Sequence, residues 1–173
     1  KNANTDSNSN PIVAGRYTGR MHDPITSTEL VAYSTLKQAI VSIRLNLGKK
    51  MQEVGGISLV QFEILFLLEQ SAEGLRMHEL AEAVGISRSG LTYQVGQLER
   101  AGWVQRISGT SNSRAVTAIL TDAGRERVAG LQERHFEFVR ERAFGLLSDE
   151  ELQIMTSIFQ RIADGSSADD ADA

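Results

Sequence analysis

The chain has no cysteine. That single absence removes disulfide staples, thiolate metal sites and thiol-based redox sensing, and it suits a reducing compartment. No apolar run approaches the roughly 20 residues that a membrane span needs, and the first residues lack the charged and apolar blocks of a secretory signal. The sequence therefore predicts a soluble, cytoplasmic protein with no membrane partner. The marks of catalysis are missing too. His22, His78 and His135 are scattered, with no His-x-x-His or Glu-x-x-His pair on one face. His22-Asp23 and His135 are the combination that would have to meet at a metal, and solvated or helix-packed histidines explain them more simply. No nucleophile elbow, phosphate loop or dinucleotide glycine pattern occurs. Gly55-Gly56 reads as a loop after a first helix, and Asp149-Glu150-Glu151 suits the positive end of a helix dipole. The expectation is a protein that is not an enzyme and needs no cofactor or metal.

What is present is concentrated in Leu80 to Trp103, LAEAVGISRSGLTYQVGQLERAGW. Two short amphipathic segments meet at Gly85, where a tight inter-helix turn wants a positive φ. Ser87 is a good N-cap for the second segment, and Ile86 before it is placed to staple onto Leu91. Leu91, Val95 and Leu98 lie at i, i+4 and i+7, so one stripe of that helix faces a core, joined by Leu80, Val84 and Ile86. Ala81 is small where two helices cross. The other face carries Arg88, Ser89, Thr92, Tyr93, Gln97 and Arg100, groups that bond to base edges and phosphate oxygens. This is a helix-turn-helix, and its destination is DNA.

Two short alternating segments follow, Trp103 to Ile107 and Val116 to Leu120, separated by the polar turn formers Ser108 to Arg114. They predict a hairpin, the wing of a winged helix, with Trp103 as a core anchor. The net charge of −4 argues against a polyanion partner until its distribution is considered. From Gly74 to Thr121 five arginines face three glutamates, whereas from Asp122 onward six arginines face twelve acids. The positive end falls on the reader.

The remaining segments read as dimerisation machinery. After an Asn-, Ser- and Gly-rich tail expected to be flexible, Thr26-x-x-Glu29 forms a capping box. Tyr33, Leu36, Ile40, Ile43 and Leu47 then repeat on a first helix, and a second box, Ser58-x-x-Gln61, opens a helix with Phe62, Leu65, Phe66 and Leu68. Beyond the wing Thr121 caps a long helix with Val128, Leu131, His135, Phe138 and Arg142 on one stripe, widened by Phe136, Val139 and Phe144. Ser148-x-x-Glu151 starts the last helix, whose stripe is Leu152, Met155, Phe159 and Ile162. Apolar seams wider than one small winged domain can cover imply a partner surface, most simply a second copy. The expected fold is mainly α: a winged helix-turn-helix with N- and C-terminal dimerisation helices and one two-stranded β wing. Its boundaries are a tail over 1–23, a body over 24–165 and an acidic tail over 166–173. Within the body, 24–57 and 122–165 are the dimerisation helices and 58–121 the winged helix-turn-helix.

Over roughly Glu29 to Ile162 the chain resembles the MarR (multiple antibiotic resistance regulator) family of transcription factors, through the helix order, LAEAVGISRSGLTYQVGQLERAGWVQR and SRAVTAILTDAGR. The resemblance implies an obligate homodimer, usually a repressor, that binds a pseudo-palindromic operator in double-stranded DNA and is released by a small anionic or aromatic ligand. It places the recognition helix at Ser87–Ala101, with Ser87, Ser89, Thr92 and Tyr93 at reading positions and Arg88 at the helix start. Tyr93 and Gln97 stand where many members have arginine, which changes the base preference. The family's wing Asp-x-Arg maps onto Asn112-Ser113-Arg114, so Arg114 rather than Arg106 is expected as the main wing contact. A cleft for an aromatic or phenolic effector would draw on Tyr33, Arg44, Phe62, Phe66 and His78, with Arg44 as counter-ion; the alternative for these residues is core packing. The competing function is a winged helix that grips another protein, for which the basic face would be incidental.

Overall fold

The computed structural model describes residues 24–108 and 116–168, with side chains described as far as residue 164. They form two units that divide after Leu36. In the N-terminal unit the Glu29 N–H donates to Thr26 Oγ1 at 3.2 Å and the Thr26 N–H to the Glu29 carboxylate at 2.7 Å, which completes the expected capping box. The backbone and hydroxyl donors of Thr26 hold the Glu29 carboxyl below the ordinary carboxylate range. Helix α1 (Ser27–Gly55) begins at this cap.

The unit from Lys37 onward contains the rest of α1, then α2 (Leu59–Glu69), β1 (Leu75–Arg76), α3 (Met77–Val84), α4 (Arg88–Arg100), β2 (Val104–Ser108), β3 (Val116–Leu120), α5 (Asp122–Val139) and α6 (Asp149–Ala168). Helix α2 is its centre, since Leu59, Phe62, Ile64, Leu65 and Leu68 are buried on several sides of an almost wholly apolar segment. Around them pack Leu80, Ala81 and Val84 from α3, Leu91, Val95 and Leu98 from α4, and Val128 and Leu131 from α5. Burying each of the larger side chains stabilises the fold by roughly 1.5–3 kcal/mol. Helix α6 contributes nothing to this core among the described residues.

The helix starts follow the sequence closely. Ser58 and Gln61 form the second capping box, Ser148 and Glu151 the third, and Thr121 Oγ1 accepts the Gly124 N–H at 3.0 Å. Each such cap is worth about 1 kcal/mol.

Two details differ from the sequence expectation. The two-stranded wing is present as expected, but its sheet gains a third strand: β3 lies in the middle, antiparallel to β2 (Val104 opposite Leu120, Ser108 opposite Val116) and to β1 (Leu75 opposite Ala118). A two-residue strand is too short to show alternation, so β1 leaves no periodic trace. The long helix also stops being α-helical at Val139 and passes through a π-helical turn, Arg140–Phe144. That turn takes one more residue than an α-turn, which a stripe counted at 3.6 residues cannot register. Arg142, counted on the same stripe as Val128 and Leu131, is exposed, its guanidinium 5.8 Å from the Phe138 ring centroid.

Candidate nucleic-acid interface

The turn between α3 and α4 is built by backbone geometry. Gly85 takes the left-handed conformation (φ 71°, ψ 37°) and ends α3. The Ile86 N–H returns to Ala81 O at 3.0 Å, and Ser87 Oγ accepts the Gly90 N–H at 3.1 Å to start α4. With Leu91, Val95 and Leu98 buried, the rotation of α4 about its axis is fixed. Arg88, Ser89, Thr92 and Tyr93 are therefore exposed, Tyr93 by 61%, and Gln97 is half-buried beside them. The Thr92 hydroxyl donates to Arg88 O at 2.9 Å. With its proton committed, it offers lone pairs and a methyl group outward, a combination suited to exocyclic amines and the thymine methyl. Ser87 and Ser89 hydroxyl oxygens lie 3.2 Å apart.

Beside this face Met77, His78, Arg88, Thr92, Arg106 and Val116 line a depression of about 370 Å³. Arg106 is expected to read DNA, and it does lie here, but it is engaged. Its guanidinium meets the Glu99 carboxylate at 2.6 Å and its backbone N–H donates to the other Glu99 oxygen at 3.1 Å. The Arg106 side chain is the main reason the Glu99 carboxyl is held below the ordinary range. Glu99 was not among the expected site residues, because its partner lies across the α4–β2 turn, where no helical spacing links the two. Asn112 and Arg114 lie outside the described residues.

Comparison with known proteins decides the family. The MarR family model matches residues 57–116. A MarR family transcriptional regulator from Streptomyces coelicolor, solved in complex with DNA, superposes with a TM-score of 0.77 at 30% identity, over 85% of this chain and 92% of that one. The chain belongs to the MarR family. A second MarR family regulator from the same organism, AbsC, gives a TM-score of 0.75 at 29% identity over 85% of this chain and 99% of its own. YdgJ of Bacillus subtilis, named an uncharacterized HTH-type transcriptional regulator, is 29% identical over 116 residues, which are 67% of this chain and 70% of that protein. Like the regulators it resembles, this MarR-family chain is a transcriptional regulator and not an enzyme.

Four of the five expected effector residues lie in the unit of this MarR-family structure that begins at Lys37, in different local settings. Phe62 and Phe66 stack at 5.9 Å, with Phe62 almost wholly buried. Arg44 makes a two-pronged ion pair with Glu63, at 3.0 and 3.2 Å. His78 belongs to the depression beside α4, and Tyr33 lies in the N-terminal unit, exposed. Phe62 also has His135 at 4.4 Å, and Phe136 stands edge-on to His135 at 5.4 Å and to Phe66 at 5.7 Å.

Burial among these rings lowers His135 from the ordinary histidine value of 6.5. The unfolded chain therefore takes up a proton before the folded one as the pH falls. Stability tied to this site is whole above about pH 6.5 and is lost below it. The thermal midpoint is expected to drop between about pH 7.5 and about pH 5.5, and His135→Phe to flatten that drop. An equal drop in the variant assigns the effect to other groups.

Among the described residues no three His, Asp or Glu side chains gather as a metal site, and no single helix is long and apolar enough to cross a membrane.

Proposed function

We propose that this MarR-family regulator is a cytoplasmic homodimeric repressor of a nearby operon, binding a pseudo-palindromic operator and released by a small aromatic or phenolic ligand. The observation that carries the DNA reading is the outward face of α4, with guanidinium, hydroxyl and phenol groups on a helix whose rotation three buried residues fix. Ser87, Arg88, Ser89, Thr92, Tyr93 and Gln97 enter the major groove. The DNA complex of the Streptomyces relative supports this. Arg114, with Asn112 to orient it, is the wing contact; Arg106, already paired with Glu99, contributes less.

Two copies of the reader must stand about 34 Å apart to meet successive major grooves. The dimer helices, 24–57 and 122–165, set that distance and flank the winged helix-turn-helix at 58–121. The segments 1–23 and 166–173 are given no part in this, although α6 itself runs on to Ala168. Exposed apolar side chains on both helical regions support a partner surface: Ile40, Val41 and Leu45 on α1, and Ile154, Ile158 and Phe159 on α6. An effector carboxylate or phenolate would displace Glu63 from Arg44 and stack on the half-exposed Phe66, with Tyr33, Phe62 and His78 the other residues proposed to respond. It need favour the non-binding spacing by only a few kcal/mol to empty the operator.

Fluorescence polarisation on the promoter DNA beside its own gene tests the reading. Affinity is expected to fall steeply with salt as released counterions lose their advantage. Arg114→Ala should weaken binding to all sequences and reduce the salt slope by about one, while Tyr93→Ala should alter base preference at one position. Binding that ignores salt and competitor DNA would instead favour a winged helix that grips a protein.

A further inference from the structure

Arg127, on α5, lies far in sequence from the reading face, yet it joins two parts that the proposed mechanism must hold in register. Its guanidinium donates to the carbonyl of Gly55, the last residue of α1. The same group lies over the Trp103 indole, 5.0 Å from the ring. Gly55 is a helix C-terminus, where carbonyls lack intrahelical partners and a cation is favoured. Trp103 is the junction of reader and wing: its N–H donates to Leu98 O at 3.0 Å, closing α4, and its carbonyl accepts the Thr121 N–H at 3.1 Å, at the start of α5. The Arg127 Nε is buried with no hydrogen-bond partner among the described residues. A partly buried guanidinium whose Nε is shut away from water without a partner is poorly explained by stability alone, since an unsatisfied buried donor is costly. A planar cation that can bond at its tip and stack on its face is the side chain suited to hold both neighbours together.

We infer that Arg127 is a positioning residue that clamps the end of α1 to the α4–wing junction and thereby fixes the half-site spacing the dimer accepts. This rests on the DNA-binding reading above. Without the clamp the two recognition helices remain intact but their separation is less sharply held. The loss then appears as tolerance of wrong spacing and not as a missing DNA contact.

The test uses the full chain and a duplex selected by the wild-type protein from a random pool, remade with its half-sites one base pair closer and one base pair farther apart. Arg127→Met, similar in length but without charge or donors, is expected to bind the selected spacing about tenfold more weakly. Its penalty for altered spacing should shrink, and its salt slope should stay that of the wild type, because no phosphate contact is removed. Arg127→Lys, which keeps a charge and a donor for Gly55 but loses the flat face, should fall between them; it carries the same comparison if the methionine variant does not fold. An unchanged spacing preference in the variants, or an equal loss at every spacing, overturns the clamp. Failure of the wild type to select any duplex overturns the DNA-binding reading itself.

Discussion

Replacing Phe159 by glutamate is expected to leave a folded but monomeric protein that binds its operator about a hundredfold more weakly or worse. The expectation follows from where the apolar groups of α6 point. Phe159 is 42% exposed and is joined by Ile154 at 54% and Ile158 at 45%, while none of the described α6 side chains is buried in the core. A stripe of that kind on a helix without a core of its own needs another apolar surface, and a carboxylate in the middle of the seam would have to be desolvated without a partner. Because the core does not depend on Phe159, the substitution separates assembly from folding. Sedimentation should show single chains, thermal unfolding should stay cooperative, and polarisation should show the second half-site no longer contributing. A variant that remains dimeric removes α6 from the interface.

The second large effect is on stability. At Gly124 a Cβ atom would sit 2.0 Å from the Trp103 carbonyl oxygen and 3.0 Å from Leu120 Cδ2. The obstacle is backbone that cannot rotate away, at the point where α5 starts against the wing. Gly124→Ala is therefore expected to cost about 3 kcal/mol or more, which lowers the melting midpoint by roughly 10 °C in a chain of this size. Gly130, in the same helix, has open space where its Cβ would stand. Gly130→Ala should be neutral or stabilise by up to about 1 kcal/mol. The pair shares residue types and helix, so the contrast isolates the close approach. Similar midpoints for the two variants would show that α5 can shift away from Trp103 at little cost.

The reader was largely legible in the residues. Gly85, Ser87 and the Leu91–Val95–Leu98 stripe are local signals, each acting within a turn or two of chain, and the structure places them as the sequence predicts. The three capping boxes are legible for the same reason. What escaped depends on contacts distant in sequence. The ion pair of Glu99 with Arg106 crosses a turn, β1 exists only because β3 comes back to it, and Arg127 reaches Gly55 across 72 positions. The effector set is less legible, because aromatic type and helical spacing do not distinguish a cleft from a core. Phe62 satisfies both descriptions and is buried.

The bareness of α6 has a consequence for the life of the protein in a cell. Each described core side chain lies in the stretch of chain from α1 through α5, so a subunit without its partner keeps its centre while the described side chains of its final helix add nothing to it. On the dimer reading, such a lone subunit offers degradative enzymes an accessible starting point that the assembled form conceals. Turnover would then remove the unpaired copies first, tying the working level of the regulator to its own association equilibrium as well as to its synthesis.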